Sequence, residues 1–465
     1  MTREKKTNAF AEAFRPPSTG AKVSKRTEEI LNIDREHIMH PLCPIGQNIG
    51  IVIEKTYGGV MLKDTEGKEY IDAASQLANV NLGYGRFDII DAAMEQAKKT
   101  QFTALYYGFT NPATVECARK LTELTPKGLE YFIFSSGGSE ANEIALKIAR
   151  VFWRRKGHNK FKIISLYNSY HGSTYGCLTI TGLGNGSFSR GAEPTVPGII
   201  LIPPYNCYRC YFGLEYPKCG IMCAKFLAQT IKNEGADTVA AFIAEPIQGA
   251  GGVIQPPPEY WPMVREICTQ NDVLLIADEV MTGFGRTGKM FALEHWNVVP
   301  DIMTIAKGIT SGYFPFGAAV ISNSIVETFK NTVFVHGLTY SGHPTCAAAA
   351  VKAMDIYIKE RIVEHTAEVG KYALDRLMTE FMPLPHVGTV NGLGLFIGLE
   401  IVEDKVTKSM PAPDVMPKLQ KEFRDKGVWI RFSNNRFHIA PPLVITKEQL
   451  DRVLDVMKAG ISSLK

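Results

Sequence analysis

From about residue 85 the chain alternates between short apolar runs and stretches with helical spacing, and this alternation limits the fold more than any other feature. Apolar runs stand at 131–134, 161–166, 198–202, 239–244, 273–277, 302–305 and 316–321. The first is followed, from Ser139 to Arg150, by apolar residues at Ala141, Ile144, Ala145, Ile148 and Ala149, the period of a helix with one buried face. Short apolar strands with helices between several of them predict an α/β chain, a mostly parallel central sheet covered by helices on both faces. Ligands of such sheets sit outside the carboxyl ends of the strands. The residues that close each run therefore carry the functional information.

The two ends of the chain read differently. Residues 50–74 alternate around a Thr65-Glu-Gly67 turn, which predicts antiparallel strands. From His343-Pro-Thr-Cys-Ala a long helix opens, followed by strands at 391–401, 428–431 and 436–439 and helices near 414–426 and 447–461. The expected division is an N-terminal arm with strands that join the small domain (1–80), a large domain with the parallel sheet (81–343) and a smaller α+β domain (344–465).

Composition excludes several classes. The chain is 465 residues long and 45% hydrophobic, enough for a sizeable core. Its net charge of +4 comes without a lysine/arginine block, so nucleic acid is not an expected partner. No apolar stretch approaches the roughly 18–20 residues of a membrane helix. The first 26 residues are polar and basic with no apolar segment of a secretory signal, and read as an arm. Nine cysteines in so long a chain do not form a disulfide scaffold, and the cytoplasm is the expected compartment.

Two run ends stand out. The run 273–277 delivers Asp278, and the run 302–305 leads to Lys307, followed at once by Gly308. A carboxylate closing an apolar run is desolvated and needs a partner. A desolvated lysine has a lowered pKa and becomes a nucleophile and a proton carrier. A carboxylate and a lysine at one sheet edge can hold a pyridine ring between them, which is what pyridoxal 5'-phosphate requires. Ser135-Ser-Gly-Gly-Ser139, between a strand and a helix, supplies close backbone approach and free N–H groups for a phosphate. Tyr170-His171-Gly172, after the run 161–166, offers an aromatic face at the same edge.

Taken together, Ser136-Gly-Gly-Ser-Glu-Ala-Asn142, Tyr170-His-Gly172, Glu245-Pro-Ile-Gln-Gly-Ala-Gly-Gly252, the segment 278–288, Pro300-Asp-Ile-Met-Thr-Ile-Ala-Lys-Gly308 and His336-Gly-Leu-Thr-Tyr-Ser-Gly-His-Pro344 resemble the class III (omega) aminotransferases. The resemblance covers about residues 40–460. It implies the fold-type I architecture, pyridoxal phosphate held by the large domain, and a homodimer or homotetramer. It also implies roles: Lys307 as the Schiff-base lysine, Asp278 at the pyridine nitrogen, Val280 and Tyr170 on the two ring faces, His171 and Glu245 near the cofactor, and Gly138 and Ser139 at the phosphate. Thr339 would reach the neighbouring subunit's phosphate, and Arg431 would be a movable arginine that pairs with a substrate carboxylate. A structural ion pair is the other reading of Arg431, and Arg436 is its rival. The implied reaction is ping-pong transfer of an amino group from an omega-amino acid or primary amine to a 2-oxo acid, pyruvate in the nearest subgroup. That subgroup acts on taurine, beta-alanine and similar donors. A broad amine or diamine transaminase is the alternative, as is an aminomutase, racemase or decarboxylase of the same fold. Residues 36–48 and 76–79 are expected at the entrance.

Cys207, Cys210, Cys219 and Cys223 form a compact insert. Their spacing suits either a four-thiolate zinc site or a surface loop with reduced cysteines. No metal is assigned to the catalytic site. An interaction module built on that insert would need zinc and no cofactor.

Overall fold

The computed structural model describes residues 23–43, 45, 50–184 and 187–464. The arm expected at the N-terminus falls outside them as far as residue 22, as do residues 44 and 46–48 of the expected entrance. Residues 25 and 26, counted with the arm, instead open a helix, Lys25–His37, whose N-cap is Ser24.

Seven strands form the large sheet: β1 Leu129–Ser135, β2 Lys162–Leu166, β3 Ile199–Ile202, β4 Val239–Ala244, β5 Leu274–Asp278, β6 Ile302–Ile305 and β7 Gly317–Ser322. Their spatial order is β1-β7-β6-β5-β4-β2-β3. Only β7 runs against its neighbours; the other pairings are parallel. β4, β5 and β6 are buried along their whole length, which is why they read as unbroken apolar runs. Alternate residues feed two cores. Ile243 and Ile276 pack with the helix α1 (Gly138–Arg155), while Phe242 and Leu275 pack on the opposite face with Trp261 and Val264. The apolar positions singled out by period in α1, Ala141, Ile144, Ala145, Ile148 and Ala149, are all buried.

Two smaller sheets accompany it. Ile53–Tyr57, Met61–Asp64 and Glu69–Asp72 are antiparallel, and Val428–Trp429 adds to them in parallel. Arg431–Ser433 belongs to the other sheet, beside Arg436–Ile439. The strand expected at 428–431 thus divides at Ile430 and serves both sheets. The strand expected at 391–401 is a hairpin, Val387–Leu393 and Phe396–Ile401, because Gly394 takes φ +56° and reverses the chain. The long helix α2, Pro344–Lys359, starts with proline in its first turn.

Arg286, fully buried, ties these parts together. Its Nη1 donates to the carbonyls of Leu395 (3.1 Å) and Pro441 (2.5 Å), and its Nη2 to Asn81 Oδ1 (2.9 Å) and Ser75 Oγ (3.2 Å). No described helix is long and apolar enough to cross a membrane.

Candidate active site

Asp278 is the last residue of β5 and stands in register with Thr304 on β6. Lys307 follows three residues later, at the same edge of the sheet. Asp278 is 3% exposed. Its Oδ2 accepts from His171 Nδ1 (2.7 Å) and Asn142 Nδ2 (2.8 Å), and its Oδ1 from the Val280 N–H (3.1 Å). Burial opposes the charge, but the hydrogen bonds and His171 together outweigh it and hold the carboxyl below the ordinary aspartate range. Asn142 is aimed by Thr304, whose hydroxyl donates to its Oδ1 (2.7 Å), and its Nδ2 also reaches the His171 carbonyl (2.8 Å).

Lys307 is half-buried and takes φ +46°, a left-handed conformation that costs a non-glycine residue roughly 1–2 kcal/mol. Its neighbours enforce it. The Tyr357 hydroxyl of α2 donates to the Gly308 carbonyl (2.7 Å), the Leu82 N–H donates to Ser311 Oγ (2.8 Å), and Asn81 Nδ2 donates to the Phe284 carbonyl (3.0 Å). Gly308 has no room for a side chain: a Cβ there would lie 2.6 Å from Asn81 Nδ2 and 2.7 Å from Phe284 Cβ. Desolvation pushes the Lys307 amine down to about 8, with Asp278 and Glu245 opposing and Arg431 reinforcing. A useful fraction is therefore neutral near pH 7–8.

Glu245 follows β4. Its two carboxyl oxygens accept from the N–H groups of Tyr170 (3.0 Å) and Gly249 (2.7 Å), which fixes the start of the Tyr170-His171-Gly172 turn. Burial, aided by Asp278 and opposed by His171, pushes Glu245 up to about 7. A carboxyl raised on folding stabilises most below its unfolded pKa of about 4.3 and loses that contribution as pH rises through its folded value. In the cofactor-free protein, Glu245→Gln should therefore flatten part of the fall in stability between pH 4.5 and 7, by about 1–3 kcal/mol. Denaturant midpoints of both proteins at pH 5 and 7.5 measure this, and equal slopes would refute it.

The other end of the site is built on backbone. α1 starts at Gly138 with no side chain capping its first N–H groups. A Cβ on Gly138 would lie 2.8 Å from Val280 Cγ1, and one on Gly172 would lie 2.3 Å from Ser139 Oγ. Gly138, Ser139, Gly172 and Val280 are thus packed face to face. The Tyr170 hydroxyl pairs with Ser173 Oγ (3.1 Å). This turn, Val280, Asp278 and Lys307 stand together at one edge of the sheet.

Of the residues singled out by sequence, Lys307, Asp278, His171, Glu245, Tyr170, Val280, Gly138 and Ser139 come together. Thr339 does not: it is exposed, and no contact joins it to this group among the described residues. Arg431 and Arg436 separate cleanly. Arg436 donates from Nε to Glu400 Oε2 (2.6 Å), and Glu400 also takes Arg209. Arg431 has no ion pair among the described residues; its charge acts on Lys307, and burial, opposed by Tyr170, lowers its own pKa. Asn142, Thr304 and Tyr357 received no role from sequence. Asn142 had a signal, since it lies four residues after Gly138 on the same face of α1. Thr304 and Tyr357 had none.

The four insert cysteines line one small cavity with Pro204, Asn206 and Pro257, and all nine thiols of the chain are free. Burial raises Cys207 and pushes Cys223 up to about 12, which keeps both as protonated thiols. Among the described residues no three His, Cys, Asp or Glu side chains are grouped so as to hold a metal ion. The insert also acts as a bracket. Arg209 reaches Glu400, Lys408 Nζ donates to the Tyr208 carbonyl (2.8 Å), and Tyr211 stacks on Tyr167 with ring centres 6.2 Å apart.

Comparison with known proteins agrees with this geometry. The sequence profile "Aminotransferase class-III" matches residues 44–461. A putrescine–pyruvate aminotransferase of Pseudomonas aeruginosa is 38% identical over 93% of this chain and 96% of its own length. A taurine–pyruvate aminotransferase of Bilophila wadsworthia is 34% identical over 92% and 95%. The crystal structure of a thermostable (S)-enantioselective omega-transaminase from Thermomicrobium roseum superposes with a TM-score of 0.90 at 40% identity, covering 95% of this chain and 99% of that one.

Proposed function

Because the chain belongs to the class-III aminotransferase family, and so is a transaminase of the fold-type I architecture, we propose that it moves the amino group of a terminal primary amine, an omega-amino acid of the taurine or beta-alanine type, to pyruvate. The observation that carries this reading is the pairing of a carboxylate kept ionised, Asp278, with an amine kept partly neutral, Lys307, at adjacent strand ends.

The site fits pyridoxal phosphate. Asp278, fixed by His171 and Asn142, would hold a protonated ring nitrogen, and its own desolvation would be offset by that partner. Val280 and Tyr170 would flank the ring. Gly138, Ser139 and the uncapped start of α1 would hold the phosphate. Bound there, the cofactor supplies a reactive carbonyl and an electron sink. The chain supplies the rest. Lys307 Nζ, partly neutral near pH 8, takes the proton from the amine-bearing carbon. Glu245 holds the Tyr170 turn against the ring. Thr339, exposed on one protomer, is suited to the partner's phosphate in a homodimer, with the catalytic parts in a large unit over 81–343.

Arg431 would receive a substrate carboxylate, since a half-buried guanidinium without a partner suits bidentate pairing. Arg431→Met should raise the KM for pyruvate at least about 30-fold with kcat less affected. Arg436→Met should act on stability, at a cost of about 1–3 kcal/mol, because it leaves Oε2 of the buried Glu400 without its partner while Arg209 and Asn435 keep Oε1. Steady-state kinetics and denaturant melts of the two variants separate these effects, and an unchanged pyruvate KM in the first would remove Arg431 from this role.

The pyruvate acceptor draws support from two relatives whose names differ in donor but share it. The 38% identity to a putrescine enzyme favours a diamine as the second donor reading. Taurine, beta-alanine, putrescine, 4-aminobutyrate and an aryl ethylamine, each tested with pyruvate and 2-oxoglutarate, discriminate the readings through alanine formation. Turnover without any 2-oxo acid would point to a mutase, racemase or decarboxylase.

A further inference from the structure

A row of residues crosses the C-terminal sheet beside Arg431. Arg431 is paired with His438, and His438 in turn with Gly398. Directly opposed residues in antiparallel strands project from the same face, with Cβ atoms about 4.5–5.5 Å apart. Gly398 adds no side chain to that face, and the carbonyls of Gly252 and Val253 press on it: a Cβ there would lie 2.6 and 2.7 Å from them. His438 is thus enclosed between Arg431 and the turn that ends at Val253. It is 1% exposed, and neither of its ring nitrogens has a hydrogen-bond partner.

Buried polar atoms without partners are uncommon and call for an explanation. The residue across from His438 offers one. Arg431 carries five N–H donors, and no hydrogen bond or ion pair engages them among the described residues. A neutral imidazole presents one lone pair. His438 is kept neutral by burial and by the charges of Arg431 and Arg436, so that lone pair is available. Arg436 lies on the same strand face and its Nη1 and Nη2 make no hydrogen bond, but its Nε hydrogen bond and ion pair hold the guanidinium against Glu400.

We propose that His438 is the partner the Arg431 guanidinium turns to when a carboxylate-free donor occupies the site, and so helps set the choice between substrates with and without a carboxylate. When a 2-oxo acid or an omega-amino acid binds, its carboxylate takes the guanidinium. When the donor lacks a carboxylate, the guanidinium turns to the His438 ring nitrogen and leaves room in the pocket. His438 is a positioning residue: it acts through Arg431 and does not touch substrate. The inference rests on the reading of Arg431 as the carboxylate receptor.

The test uses holoenzyme and follows the two half-reactions separately by cofactor absorbance, one with an aryl ethylamine and one with pyruvate. His438→Leu removes the acceptor, and His438→Asn keeps one. In the leucine variant the KM for the aryl ethylamine is expected to rise about tenfold, the worth of one hydrogen bond to a charged group, with the pyruvate KM within about twofold of wild type. The asparagine variant is expected to recover most of the loss. Equal changes for both substrates, or none, would overturn the proposal. Should neither variant fold, the ring ¹⁵N resonances of His438 in the wild-type enzyme decide: a shift on adding pyruvate supports it and no shift refutes it. Failure of the underlying reading is visible separately, as an unchanged pyruvate KM in Arg431→Met.

Discussion

Replacing Lys307 with alanine is expected to abolish turnover, a fall of at least about 10⁴-fold, because one side chain both captures the carbonyl group and carries the proton. Pyridoxal phosphate added to the variant should bind without the absorbance of a covalent lysine adduct, and borohydride should fix no label on the protein. The prediction is sharper than a general loss of activity. Lys307 stands at φ +46°, held there by contacts through Gly308, Ser311 and Asn81 that do not use its side chain. Alanine keeps those contacts and meets the same backbone strain as lysine. The cofactor-free alanine variant should therefore fold, and should be more stable than wild type below about pH 8 by about 1–3 kcal/mol, because the native state no longer holds an ammonium that burial disfavours. An added small amine should restore part of the proton transfer. Activity retained without such an amine would sink the assignment of Lys307.

How far these parts were legible in sequence follows from how local their causes are. β4, β5 and β6 are buried on both faces, so their apolar runs are continuous and their closing residues, Glu245, Asp278 and then Lys307, fall where the reading put them. The α1 face was legible for the same reason, since its period is a property of the segment itself. The helix Lys25–His37 was not. Its buried residues are Thr27 and Leu31, and its start is fixed by Ser24 and Thr27 reaching Glu66. Such a contact about forty residues away leaves no periodic mark. Arg431 and Arg436 show the same limit at the site. They lie five residues apart with the same chemistry, and only the register of three strands decides that Glu400 meets one of them and not the other. The cysteine insert shows another limit. Its spacing leaves a zinc site and a reduced loop both open, and says nothing of its anchors Arg209, Tyr208 and Tyr211, the residues between and beside the thiols.

Asp278→Asn, almost isosteric, is expected to lower kcat/KM by about 10²–10³-fold, the range seen when one preorganised electrostatic contact is lost from a site. The hydrogen bonds explain why so small a change should matter. In the native protein both carboxyl oxygens accept: one from His171 and Asn142, the other from the Val280 N–H. An amide has one accepting oxygen. Whichever way it is turned, its NH₂ group faces at least one donor, and a buried donor loses its partner. The negative charge that would keep a bound pyridine nitrogen protonated is lost with it. Stability carries a second signature, whose sign follows from the direction of the pKa. Asp278 is held below its ordinary value on folding, so its charge stabilises the native state above the ordinary carboxyl range. That contribution disappears as pH falls through the folded value. The cofactor-free wild type should accordingly exceed Asp278→Asn in stability at pH 7, and the gap should narrow below about pH 4. A gap that stays constant from pH 7 to pH 3 would mean that Asp278 acts through shape alone, and the role assigned to its charge would fall with it.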